Sequence, residues 1–206
     1  MIKDKPLIIE FVGLPGCGKS TMAKSIISIF QNEKNIIKRS DFSKTIDKMW
    51  KYPILIPFAT IYYFIKPKHR RFKKDLFRFA FQFPINKLGL IYTVYLIILY
   101  ELLNKNINED KIVILDEGII QFLSSISHNI PINNNTLLHN LVSNLKSVIE
   151  DILFIECDLP IETVIERIKK RNRQDRFSYN NNIENLLLTK KNNLNLLTTI
   201  VRYKMI

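Results

Sequence analysis

The chain has 206 residues, of which 47% are hydrophobic, and its 31 Lys and Arg against 19 Asp and Glu give a net charge of +12. This length and apolar content suit one globular domain with a substantial core and exclude a small scaffold that depends on disulfides. The positive charge attracts polyphosphates, nucleic acid or anionic lipid without choosing among them.

The N-terminus is not expected to be a signal peptide. Its short apolar run is interrupted by Glu10 and leads directly into a glycine-rich loop. The two cysteines, Cys17 and Cys157, lack the spacing of a zinc site or a disulfide framework, so a reducing, cytoplasmic setting is expected. Cys17 is interpreted as a small loop residue, with a redox role as the alternative.

The stretch from Leu7 to Phe30 has the pattern of a strand, a glycine-rich loop and a helix. The loop satisfies G-x-x-x-x-G-K-[ST], in which backbone amides cradle phosphate oxygens, the lysine reaches the β- and γ-phosphates and the hydroxyl coordinates Mg²⁺. A glycine turn with a solvated Lys19 is the alternative, but the strand and helix are the context that the motif requires. The residues predicted to bind ATP, with Mg²⁺ at Ser20, are Gly13, Leu14, Pro15, Gly16, Cys17, Gly18, Lys19, Ser20 and Thr21.

A short second strand is predicted over residues 35–39, ending at Ser40 and Asp41. Strand, helix and strand in this order predict a parallel sheet, and ligands of such sheets gather at the carboxyl ends of the strands. Lys38, Arg39 and Asp41 are therefore candidate residues of a site for the phosphate acceptor. A solvated loop explains them equally well.

Residues 42–110 form an aromatic and basic segment. Its apolar stretches, 52–65 and 88–103, are shorter than a membrane-spanning helix, so buried helices are expected, with this segment facing the substrate. The basic run at 69–74 is followed by several phenylalanines, which leaves contact with an anionic membrane surface open.

The apolar run 112–115 predicts a buried parallel strand, after which come Asp116, Glu117 and Gly118. Phosphate-loop enzymes place an acid at such a strand end to hold the metal that bridges the β- and γ-phosphates. Asp116 is predicted to be that metal ligand, or the base that takes the acceptor's proton. The structural alternative is that Asp116 caps the following helix, 119–126. Glu117 is a second candidate, for the acceptor site.

A helix is predicted over about residues 136–148 and a strand over residues 151–157. The next helix opens at Asp158 and Pro160, and its apolar residues have the spacing of a face that packs on the sheet. Its other face and the residues after it carry Arg167, Arg171, Arg173 and Arg176. Fixed guanidinium groups stabilise a phosphoryl group in transfer, so these arginines favour a lid, with a solvated surface as the alternative.

The phosphate loop, the acid at 116 and parts of the stretch 154–177 resemble P-loop nucleoside and nucleotide kinases of the thymidylate-kinase-like group. The resemblance implies a three-layer α/β fold, with a parallel sheet of about five strands between helices, in one domain over residues 1–206. It also implies that Lys19 and Ser20 bind the phosphates of ATP and Mg²⁺ and that Asp116 serves the metal or the acceptor. Arg171, Arg173 and Arg176 would form a catalytic lid over about residues 169–182.

The chain departs from thymidylate kinases at Asp116-Glu117-Gly118, where they carry Asp-Arg-Tyr or Asp-Arg-Phe, and it lacks their Arg-Glu-Pro-Gly stretch. The predicted function is therefore transfer of the γ-phosphoryl group of Mg-ATP to a hydroxyl or phosphate acceptor of open identity. The alternatives are a kinase for a sugar or lipid-linked saccharide at the inner face of the membrane, and a P-loop ATPase that is not a kinase. Nucleic acid is not the expected partner, and a homodimer is left open.

Overall fold

The computed structural model describes the sheet, the phosphate loop and a long C-terminal helix. The described residues are 7–30, 36–38, 74, 76, 95–100, 103, 112–126, 142, 143, 145, 149, 152–171 and 182–203. Several predictions fall outside these residues: Arg39, Asp41, Arg173, Arg176 and most of the segments 42–110, 136–148 and 169–182.

Four strands form one sheet in the described part of the chain. They are β1 (Leu7–Gly13), β2 (Ile36–Lys38), β3 (Ile112–Leu115) and β4 (Ile152–Cys157). The order across the sheet is β2-β3-β1-β4, and each pair is parallel. The predicted parallel sheet is confirmed, and β1 lies at its centre with the carboxyl ends of its neighbours β3 and β4 on either side.

Four helices accompany these strands: α1 (Lys19–Ile29), α2 (Ile119–Ile126), α3 (Ile161–Lys170) and α4 (Ile183–Tyr203). The helices α1, α2 and α3 lie where the sequence predicts them. The N-cap of α3 is Pro160, and no side chain caps this helix. Asp158 forms an ion pair of 2.9 Å with Lys191 of α4. No described helix combines the length and the apolar character needed to cross a bilayer.

The helix α4 was not predicted, although it packs against both α2 and α3. Asn and Thr, which have modest helix propensity, separate its apolar residues, so its sequence gives a weak helical signal. Its buried residues include Leu187, Leu194 and Leu197, which explains why the helix forms. Packing of an apolar face contributes more to the stability of a helix in a protein than propensity does.

The core lies around β1 and β3, whose apolar runs are buried as continuous strands of a parallel sheet usually are. Residues 95–100, within the aromatic segment, are helical, and all six are buried. Tyr95 contacts Phe122 of α2, with 3.9 Å between the ring centroids. This part of the segment therefore belongs to the core.

One carboxylate interrupts this apolar core. Glu10 lies in the middle of β1 and is 0% exposed. Its Oε1 accepts a hydrogen bond of 3.1 Å from the backbone N–H of Gln121, in the first turn of α2. Burial raises the pKa of the Glu10 carboxyl to about 7, although backbone N–H groups at the start of α2 act in the opposite direction. The helix N-terminus thus compensates part of the cost of burying an acid.

We expect this burial to make the stability of the fold depend on pH. The folded chain keeps the Glu10 proton to about pH 7, whereas an unperturbed carboxyl releases it near 4.5. The contribution of Glu10 to stability is therefore present below pH 4.5 and is lost as the pH rises to 7, by on the order of 3 kcal/mol.

The substitution Glu10→Gln should remove this dependence, because glutamine does not titrate. Urea unfolding across this pH range should show the stability of the wild type falling by about 3 kcal/mol relative to the variant. Glu162→Gln, at an exposed acid of α3, is the control for the loss of one carboxyl. A constant difference between wild type and Glu10→Gln would contradict the prediction.

Candidate phosphate-binding site

The loop between β1 and α1 has the backbone of a phosphate cradle. Gly16 and Gly18 have φ angles of 90° and 102°, which side chains with a Cβ rarely adopt, and Gly18 is the N-cap of α1. No side chain caps this helix N-terminus. Its first N–H groups and the positive end of the helix dipole therefore face the concave side of the loop, where an anion binds favourably.

Two other elements press against this loop. A Cβ at Gly13 would overlap the carbonyl oxygen of Cys157 at the end of β4, and it would lie 2.8 Å from Sγ of Cys17. A Cβ at Gly16 would lie 3.3 Å from Cγ1 of Ile168 in α3. Glycine at position 13 is thus required by contact with β4, and the loop is held from outside its phosphate-binding side.

Lys19 is directed into the loop. Its side chain is buried, and Nζ donates hydrogen bonds to the carbonyl oxygens of Gly13 at 2.9 Å and Leu14 at 2.8 Å. The nearby Sγ of Cys17, at 3.8 Å, is a weaker acceptor. These contacts fix the ammonium group beside the loop amides, so its positive charge is in place before a phosphate arrives.

The predicted metal residues are brought together. Oγ of Ser20, at the start of α1, donates a hydrogen bond of 2.7 Å to Oδ2 of Asp116, at the end of β3. These side chains are 96 residues apart in the sequence, and the pairing of β1 with β3 places them at one edge of the sheet. Glu117 is half-buried in the turn that follows Asp116.

This pair fits Mg²⁺, which prefers oxygen ligands and is usually held by one or two carboxylates, phosphate oxygens and water. A hydroxyl and a carboxylate oxygen 2.7 Å apart can occupy neighbouring positions on such an ion. In the described part of the chain, no three His, Cys, Asp or Glu side chains gather to form a metal site made by protein alone. The donor set is therefore suited to a metal that arrives with a phosphate.

The turn that carries Asp116 is tied to the phosphate loop through α2. The N–H of Gly13, the first residue of the motif, donates to Oε1 of Gln121 at 3.4 Å. The backbone N–H of Gln121 donates in turn to Glu10. Glu10 and Gln121 were not among the predicted site residues. The acid inside an apolar strand could have indicated Glu10, whereas Gln121 belongs to no sequence motif.

The arginines of the predicted lid are described only in part. Arg171 is exposed at the end of α3. Arg167, one turn earlier, is closer to the loop: its Nη1 lies 3.9 Å from the position of a Cβ on Gly18. Arg167 is one of the four arginines for which the sequence favours a lid, although the resemblance implies a role only for Arg171, Arg173 and Arg176. Its position beside Gly18 brings a guanidinium group of α3 close to the phosphate loop.

Cys17 lies in the phosphate loop and Cys157 lies at the end of β4, and both are buried and form no disulfide. Burial raises the pKa of the Cys157 thiol to about 11, with the neighbouring Cys17 adding to the effect. A thiol with so high a pKa is protonated and poorly reactive at neutral pH. Sγ of Cys157 contacts Sδ of Met22 at 3.3 Å, and this contact joins β4 to α1.

Comparisons with known proteins bear on the fold. No protein-family model matches the chain, and no curated protein matches it either. Among solved structures, the chain is similar to a deoxyadenosine kinase from M. mycoides with bound dATP. The TM-score is 0.52 and the sequence identity is 19%, over 96% of this chain and 86% of the other. The chain therefore shares the α/β fold of that structure, with a parallel sheet flanked by helices, as predicted.

Proposed function

We propose that the protein is an ATP-dependent phosphotransferase that moves the γ-phosphoryl group of Mg-ATP to a hydroxyl or phosphate acceptor. The observation that carries this proposal is the hydrogen bond of 2.7 Å between Ser20 and Asp116, beside the buried Lys19. If the motif were a chance match in an ordinary glycine turn, a hydrogen bond between the Ser20 hydroxyl and an acid at the end of the neighbouring strand would not be expected.

Each residue has a defined part in this proposal. The loop amides and Lys19 bind the β- and γ-phosphates, and Ser20 and Asp116 would hold Mg²⁺, which neutralises charge on the phosphates when bound. Asp116 can alternatively accept the proton of the acceptor hydroxyl. Arg167 lies close enough to the loop to add positive charge where negative charge develops in phosphoryl transfer.

For the acceptor we propose a nucleoside or a nucleotide. The structural similarity to a deoxyadenosine kinase supports a nucleoside more than a sugar or a lipid-linked saccharide. The thymidylate-kinase-like assignment rests on sequence resemblance, and the Asp116-Glu117-Gly118 turn argues for an acceptor other than thymidylate. Arg39, Asp41 and Glu117 are the proposed acceptor residues.

A screen of ATP consumption tests the proposal. Purified protein is incubated with Mg-ATP and, separately, with each common ribonucleoside, deoxyribonucleoside and nucleoside monophosphate, and with sugars and lipid extracts. We expect stimulated formation of ADP with at least one nucleoside or nucleotide, together with a phosphorylated product detected by mass spectrometry. A slow ATPase rate that no acceptor changes would instead indicate a P-loop ATPase.

Lys19→Ala and Asp116→Asn separate nucleotide binding from metal use. At a Mg-ATP concentration of about 100 times its Kd, the free energy of unfolding of the wild type should rise by about 2.7 kcal/mol. Lys19→Ala should lose this stabilisation. Asp116→Asn keeps the size of the side chain but removes its charge, so turnover should fall by about 10²-fold or more while the fold remains intact.

Calorimetry with ATP, in Mg²⁺ and in EDTA, decides the role of Asp116. If Asp116 is a metal ligand, Asp116→Asn weakens binding in Mg²⁺ and leaves binding in EDTA unchanged. If Asp116 is the base, the variant binds Mg-ATP normally and loses only turnover. A variant that melts far below the wild type, with activity proportional to its folded fraction, would show that Asp116 is a structural residue.

We also expect Arg171, Arg173 and Arg176 to act on the transition state more than on ATP binding. Lysine keeps the charge but loses the planar group that engages two oxygens, so changing any of them to Lys should lower kcat at least about tenfold. The dissociation constant of ATP should change little. Arg202→Lys, in α4, is the matched control. Unchanged kcat in all three variants would show that these arginines are surface charges.

A further inference from the structure

The residue Gly118 has no backbone reason to be glycine. Its φ is not in the left-handed range, in contrast to Gly16 and Gly18 of the phosphate loop. A Cβ at Gly118 would, however, lie 2.5 Å from both Cδ and Oε2 of Glu10. The absence of a side chain at position 118 is therefore explained by contact with the carboxyl group of Glu10.

Glu10 cannot easily move out of the way of such a side chain. Its carboxyl group is fully buried and is held by the N–H of Gln121. In a close-packed interior, a displaced group needs space that its neighbours do not leave. The contact between Glu10 and Gly118 thus fixes how closely the turn before α2 approaches β1.

Gln121 links the contact between Glu10 and Gly118 to the phosphate loop. The side-chain Oε1 of Gln121 accepts a hydrogen bond from the N–H of Gly13, and the backbone N–H of Gln121 donates one to Oε1 of Glu10. Glu10 and Gly13 belong to the same strand, so β1 and the first turn of α2 are joined at two points. Two points of attachment restrict both the distance and the tilt of α2 relative to the loop.

The turn fixed in this way carries Asp116, two residues before Gly118. Oδ2 of Asp116 lies 2.7 Å from Oγ of Ser20, and this distance is sensitive to small shifts of the turn. A misplacement of about 1 Å is enough to cost a large part of a rate or of a metal's affinity. Glu10 itself is buried and lies outside the reach of a nucleotide.

We propose that Glu10 is a positioning residue, which holds Asp116 at the correct distance from Ser20 through its contacts with Gly118 and Gln121. This inference rests on the proposed function, because it concerns the residues proposed to hold Mg²⁺. It differs from a helix cap in its consequence: loss of a cap lowers stability, whereas loss of positioning changes how strongly ATP binding depends on Mg²⁺.

The experiment compares four variants of the full chain: Gly118→Ala, Glu10→Ala, the double variant Glu10→Ala/Gly118→Ala, and Glu10→Gln. For each, calorimetry gives the ratio of ATP affinity in Mg²⁺ to ATP affinity in EDTA. Urea unfolding gives the stability separately. Leu123→Ala is the matched control, because it makes a cavity in the buried face of α2 without touching the contact between Glu10 and Gly118.

We expect Gly118→Ala to lower the affinity ratio about tenfold or more, while ATP affinity in EDTA stays within about threefold of the wild type. Glu10→Ala should lower the ratio less than Gly118→Ala does, because it removes the acceptor of the Gln121 N–H without pushing the turn away from β1. The double variant should recover to the level of Glu10→Ala, since shortening residue 10 makes room for the new methyl group. Glu10→Gln should stay close to the wild type, because the amide oxygen still accepts the N–H of Gln121. Leu123→Ala should lose stability and keep the ratio.

Three results would overturn the inference. The first is a wild-type ratio in Gly118→Ala or in Glu10→Ala, and the second is a double variant no better than Gly118→Ala. The third is a ratio that falls equally in Leu123→Ala, since any loosening of α2 would then suffice. If the wild type itself binds ATP no more tightly with Mg²⁺ than without it, the proposed metal site is wrong, and the inference about Glu10 is then wrong as well.

Discussion

The close contact of the phosphate loop with β4 and α3 is the constraint on which the rest of the site depends. Gly13 meets the carbonyl of Cys157, and Gly16 meets Ile168, so the outer side of the loop is packed against protein. The inner side is then left for a ligand. A loop of this kind pays little ordering cost when phosphate binds, because neighbouring elements already hold its backbone. Lys19 is fixed by the same loop, through the carbonyls of Gly13 and Leu14.

Two buried ionisable groups with different surroundings follow from this arrangement. Lys19 is buried, and its Nζ donates hydrogen bonds to the carbonyl oxygens of Gly13 and Leu14 in the phosphate loop. Glu10 lies in the core, where burial raises its pKa to about 7 and the backbone N–H groups at the start of α2 oppose that effect. The strand β1 thus places an acid, Glu10, in the core, and the loop after it holds a cation, Lys19, at the side where a ligand would bind. The cation serves binding, and the acid determines where α2 and the turn before it lie.

The sequence predicted the parts of the site that are local or that follow from topology. The motif around Lys19 is a contiguous pattern, and Asp116 is found because it ends an apolar strand of a parallel sheet. Glu10 escaped this reasoning because its partners, Gly118 and Gln121, are more than 100 residues away. Their contact depends on the register of β1 with β3 and on the start of α2. The four lid arginines predicted from the sequence include Arg167, but a basic helix face does not reveal which of its cations is turned toward a neighbouring loop.

The basic end of α3 shows how one set of residues meets two requirements. The last turn of α3 carries Arg167, Lys169 and Lys170, and cations there interact favourably with the negative end of the helix dipole. This explains basic residues at the helix end without any ligand. The buried positions Val164 and Ile168 then set the rotation of the helix about its axis. That rotation brings Gly16 against Ile168 and places Arg167 beside Gly18. A cation that stabilises the helix is thereby delivered to a loop built for anions, and apolar packing decides which cation it is.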